Sequence, residues 1–106
     1  MNQINLIGKV SESVITYEQT NGDLVAKFRV DIESKTNKST AIDCIAWKKT
    51  AEIVKRNVHE NDLVSISGKL TVRESKTLNA YSPLFEIVID RVNLILPEHN
   101  ITKIDQ

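Results

Sequence analysis

Apolar and polar residues alternate with a period of two along nearly the whole chain, and one short stretch breaks into a helical period. Such a chain folds as half-buried strands, because successive strand side chains point to opposite faces. The first strand sets Ile4, Leu6, Gly8 and Val10 against Asn5, Ile7 and Lys9. Polar residues at 11–13 interrupt it, and Val14-Ile15-Thr16-Tyr17 resumes extended chemistry. Asn21-Gly22, with Asp23 beside it, predicts a tight primed hairpin turn, whose two central residues need φ > 0. The second strand is the cleanest: Ala26, Phe28, Val30 and Ile32 face one way, and Lys27, Arg29, Asp31 and Glu33 the other.

A polar loop at 34–40 leads to the third strand, with Ile42, Cys44 and Ala46 on one face and Ala41, Asp43, Ile45 and Trp47 on the other. Its second face is partly apolar, which a fully solvated face would not require. Between Lys48 and Val58 the period changes: Ala51, Val54 and Val58 stand at i, i+3 and i+7. That spacing predicts a helix of two to three turns, with Thr50 as its cap. The fourth strand, Leu63–Arg73, turns Val64, Ile66, Gly68, Leu70 and Val72 inward and Lys69 and Arg73 outward. Residues 74–83 read as a polar loop. A last strand over 84–96 sets Phe85, Ile87 and Ile89 against Glu86, Val88 and Asp90, and Pro97 ends it. The order is three strands, a helix and two strands. It predicts an all-β OB-fold: a five-stranded Greek-key barrel with one helix between the third and fourth strands. Residues 1–96 form that one domain, and 97–106 a short tail.

Composition removes other classes. At 106 residues, 41% of them hydrophobic, the chain supports a single core. Its one cysteine, Cys44, excludes an internal disulfide and lies on an inward face as a small hydrophobe. His59 and His99 are far apart and no CxxC or HxxxH spacing occurs, so neither a metal nor a cofactor is expected. No apolar run reaches the ~18–20 residues of a membrane span, and the start lacks the apolar stretch of a signal peptide. A soluble cytoplasmic protein without membrane contact is expected, and its Asn-X-Ser/Thr matches at Asn37 and Asn100 are read as chance. Net charge is zero, from 14 basic and 14 acidic side chains, which at first argues against a nucleic-acid partner. The charges are unevenly spread, however. Residues 27–76 hold 11 basic and 7 acidic side chains, and the remainder the reverse imbalance.

The string IDCIAWKKTAE at 42–52 resembles the bacterial single-stranded DNA-binding protein family. So do NQINLIGKV near the start, NGDLVAKFRVDIES around the turn and second strand, NDLVSISGKLTVRES in the fourth strand and FEIVIDRV in the last. Joint order and spacing over about residues 2–95 carry the resemblance. It implies an OB-fold without enzymatic activity that binds single-stranded DNA with little sequence preference in replication, recombination or repair, nucleoid-associated in the cytoplasm. It also implies a homo-oligomer, tetramer or dimer, in which the first strand pairs with its two-fold mate, and replication or recombination proteins as further partners. Such proteins track the phosphates with Lys and Arg and stack bases on exposed aromatic rings.

Carried onto this sequence, the resemblance puts the binding face on the outer side of the second to fourth strands and their loops. Trp47 is the leading base platform. Lys48 and Lys49 follow it, Lys27 and Arg29 project from the second strand, and Lys69 and Arg73 from the fourth. Lys35 and Lys38 lie in one loop, and Lys76 and Tyr81 in the other. Against each stands a plainer role: helix packing for Trp47, solvated surface charge for the basic residues. Aligned by the resemblance, three aromatic positions of the family hold Lys35, Ala41 and Ser75 here, and the family's long extension with its acidic tip is an expected absence after Gln106. With charge kept and stacking thinned, weak and salt-sensitive binding is expected. The thinned aromatic set also leaves open a protein-interaction OB module of the primosomal type, with DNA secondary. An RNA-binding domain of cold-shock type is disfavoured by its missing aromatic motif.

Overall fold

The computed structural model describes the backbone of residues 1–32, 40–77 and 80–96, and the side chains of these except 73–77, 80–83 and 96. Its elements are β1 (Ile4–Val10), β2 (Ile15–Glu18), β3 (Leu24–Ile32), β4 (Thr40–Trp47), α1 (Lys48–Asn57), β5 (Leu63–Thr77) and β6 (Ala80–Leu96). The sheet order is β1-β5-β6-β4-β3-β2, and an additional β1–β3 pairing closes it into a barrel. All pairings are antiparallel except β4–β6. Closure satisfies strand edges that a small open sheet would leave exposed.

Five strands form the barrel as the alternation predicts, but the first is split. β1 pairs β3 at Lys9↔Asp31 and Val10↔Val30, and β2 pairs the other end of the same β3 edge, from Ile15↔Lys27 to Glu18↔Leu24. The break at 11–13 lets one continuous stretch serve both ends. Gly8 sits at the closure, where a Cβ would strike the Val30 side chain and come within 2.6 Å of the Asp31 carbonyl oxygen. At Gly68, beside a register shift in β5, a Cβ would strike the Val88 carbonyl oxygen. Before β1, the Asn2 side chain imitates a strand: its Nδ2 donates to the Leu70 carbonyl and its Oδ1 accepts from the Leu70 N–H.

The interior is the inward register of the sequence. Val10, Ala26, Phe28, Val30, Cys44, Ala46, Val64, Ile66, Ile87 and Ile89 form one buried cluster. Ala51 and Val54 from α1 and Val58 at its C-cap join it, so the helix stripe closes the core. Burying side chains of this size stabilises by roughly 1.5–3 kcal/mol each for the larger aliphatics. Asp62, 3% exposed, is tied into the turn before β5, where its Oδ2 accepts from the His59 N–H over 2.8 Å.

Four local expectations are corrected. Asn21-Gly22 does not form a two-residue primed turn. The Gly22 N–H donates to the Gln19 carbonyl, and Gly22 alone takes a positive φ, +91°. The Asn21 side chain instead receives the Asp23 N–H, an arrangement that wins over placing Asn21 at φ > 0. Thr50 is not the helix cap: Trp47 holds that position, without a side-chain cap hydrogen bond. The polar stretch 74–83 is largely strand, because β5 and β6 pair from Arg73↔Leu84 out to Thr77↔Ala80. A ribbon beyond the barrel satisfies its own backbone and needs no buried face, so its composition looks like a loop. For the same reason Val72 and Phe85, in the inward register and paired to each other, are 54% and 55% exposed.

Candidate nucleic-acid interface

Register turns the outward side chains into rows across the barrel. One row crosses β2, β3 and β4 as Tyr17–Val25–Trp47. Val25 is fully buried between two exposed aromatic rings, Tyr17 at 41% and Trp47 at 37%. The next row runs Ile15–Lys27–Ile45–Val88–Lys69 over five strands. Ile45 is buried within it, which accounts for the apolar content of that face. Lys27 and Lys69 are three strand spacings apart, about 14 Å along the sheet at ~4.8 Å per strand. The Lys27 ammonium lies 5.8 Å from the centroid of the Tyr17 ring, within cation–π reach.

A third row, Arg29–Asp43–Glu86–Thr71, has a different character. Arg29 Nε donates to Asp43 Oδ1 over 2.9 Å, and its Nη1 lies 3.6 Å from Glu12 Oε1. The hydrogen bond to Asp43, then the Asp43 and Glu12 charges, raise the Arg29 pKa further above its ordinary value. Three carboxylates, Glu12, Asp43 and Glu86, thus line this end of the face with Arg29 among them. Arg29 projects outward, as the alternation requires, but its charge is shared with two acids.

Lys48 and Lys49 leave the Trp47 row at the start of α1, both exposed. Lys48 takes the left-handed φ of +54° needed to turn the strand into the helix. Trp47, Lys27, Lys69, Lys48 and Lys49 therefore share one continuous region of surface. Arg73 lies on β5, and Lys76 on β5 opposite Tyr81 on β6, all on the ribbon arms, with side chains outside those described. Lys35 and Lys38 lie outside the described residues. Sequence reasoning passed over Tyr17, which only register brings beside Lys27 and Trp47. It also passed over Lys55 and Arg56, on the last turn of α1. Among the described residues no cluster of three or more His, Cys, Asp or Glu could hold a metal, and no helix is long and apolar enough to cross a membrane.

The model of the single-strand binding protein family matches residues 1–95. This chain belongs to that family. A curated relative, the single-stranded DNA-binding protein of Malacoplasma penetrans (strain HF-2), is 30% identical over 101 residues. The match covers 87% of this chain and 50% of the relative, so the chain spans about half the length of the relative it matches. Among solved structures, the SSB domain of a Synechococcus protein superposes with a TM-score of 0.73 at 19% identity, covering 88% of this chain and 94% of that one. That likeness shows the OB-fold.

Proposed function

We propose that the outer face binds single-stranded DNA without strong sequence preference, in replication, recombination or repair. Bases stack on Trp47 and Tyr17, and Lys27, Lys48, Lys49 and Lys69 contact phosphates. Arg29, Lys35, Lys38, Arg73, Lys76 and Tyr81 belong to the same proposed site, with Arg29 the weaker contributor because Asp43 already holds it. The observation that carries this reading is the Tyr17–Val25–Trp47 row with Lys27 over the Tyr17 ring. Two exposed rings on a rigid sheet, beside a cation, present what any base and its phosphate require, since every base has a π-face. Membership of the single-strand binding family and the name of the Malacoplasma relative support it.

The test is an oligo-dT titration at low salt, read through Trp47, the single tryptophan. Quenching is expected, and Trp47→Ala should weaken binding by about 1–3 kcal/mol. An unchanged signal with no mobility shift at micromolar protein overturns the reading. Oligomerisation through β1 belongs to the same proposal. Among the described residues Ile4–Ile7 pair with β5 alone, and their other edge is the one proposed to meet a second copy. Sedimentation of the protein should then give a dimer or tetramer.

A further inference from the structure

Beyond the Tyr17–Val25–Trp47 row lies an open cleft of about 720 Å³, between the β2–β3 turn and α1. Four cations line it: Lys48, Lys49, Lys55 and Arg56. On a helix Lys48 and Lys55, and likewise Lys49 and Arg56, stand seven residues apart, two turns along one face. Three carboxylates, Glu18, Asp23 and Glu52, line it as well. Yet among the described residues no ion pair joins any of these carboxylates to the four cations. The four cleft cations are left with charge to offer a ligand.

The cleft continues the outer face. Glu18↔Leu24 is the register pair next after Tyr17↔Val25, and Lys48 is the residue next after Trp47. The opposite end of that face carries Glu12, Asp43 and Glu86. A polyanion lying over Trp47 is repelled at one end and drawn toward the other.

Resting on the reading of the outer face as a single-strand site, we infer that the cleft is its continuation: the DNA strand leaves Trp47 and runs along α1, with Lys55 and Arg56 as phosphate contacts. The ligand class is a flexible polyanion with bases at one end of its footprint and backbone alone at the other.

The experiment compares oligo-dT of about 4 and about 16 nucleotides, the limits of OB-fold site sizes. Wild type, Trp47→Ala and the double variant Lys55→Gln/Arg56→Gln are each titrated across a salt series. Both cleft positions are exposed, and helicity by circular dichroism checks that the variants fold. For the double variant the long oligomer should lose about 1.4 from its log–log salt slope, two contacts at ~0.7 each. The short oligomer should keep the wild-type slope, and Trp47→Ala should weaken both lengths. Wild-type slopes at both lengths in the double variant overturn the cleft and leave the outer face standing. Equal losses at both lengths also overturn the cleft, since they report a general field. Unchanged DNA slopes with loss of a fluorescent oligo-glutamate would make the cleft a peptide site and overturn it too. Failure of wild type to bind either length removes the outer-face reading, and the cleft with it.

Discussion

Arg29 and Asp43 face each other in register across β3 and β4, and the guanidinium Nε donates to the carboxylate over 2.9 Å. A residue that alternation marks as an outward cation is therefore answered by a neighbour from another strand. Asp43→Asn removes the charge while keeping an acceptor oxygen. The variant should bind oligo-dT more tightly, with a salt slope steeper by about 0.7 as Arg29 becomes available for one phosphate. Arg29→Gln in the wild-type background should change the slope little. A large loss of affinity from Arg29→Gln would contradict the assignment.

Tyr17 and Trp47 should act as paired platforms. Tyr17→Ala is expected to weaken oligo-dT binding by about 1–3 kcal/mol, and Tyr17→Phe to retain most of the affinity, because stacking needs the ring and not the hydroxyl. Fluorescence titration of both variants decides it. Equal affinity for Tyr17→Ala and wild type would remove Tyr17 from the site.

Barrel closure depends on the missing side chain at Gly8. Gly8→Ala places a methyl against the Val30 side chain and the Asp31 carbonyl. Part of the obstacle is backbone, so relaxation must shift a strand. A loss of about 1–3 kcal/mol is expected from such overpacking, read as a lower urea midpoint. An unchanged midpoint would show that β1 and β3 are not so closely joined.

Burial pushes the Cys44 thiol up to about 12, and the Asp43 and Glu86 charges add to the rise. The folded state then holds the thiol proton more tightly than the unfolded chain, where the ordinary value is 9.0. Stability from this group is fully present below pH 9 and drains away as pH rises toward 12. The stability difference between wild type and Cys44→Ala should therefore shift against wild type over that window, measured by thermal unfolding. At pH 8 the native thiol should resist a disulfide reagent until the protein unfolds. Immediate stoichiometric reaction would contradict its burial.

Much of the architecture is legible in the sequence. The helix stripe Ala51, Val54 and Val58 and the inward strand residues of the barrel's middle, from Val10, Phe28 and Val30 to Ile66 and Ile87, are local signals, and they are buried as read. Trp47 was legible as an outward aromatic for the same reason. The ribbon at 74–83 was not, because strand pairing outside the core leaves no hydrophobic alternation behind. Val72 and Phe85 misled for the related reason that period two gives the face of a strand but not where the barrel ends.

The sequence by itself determined which residues face in, which face out, and where the one helix interrupts the strands. Those properties follow from the periods of the two backbone conformations, which each segment carries alone. The tertiary structure decided which outward residues are neighbours. It set Asp43 against Arg29, Tyr17 beside Lys27 and in a row with Trp47, and Lys55 and Arg56 at a cleft that continues that row. Neighbours across strands are fixed by register and barrel closure, which join residues far apart in the chain and leave little trace in any one segment.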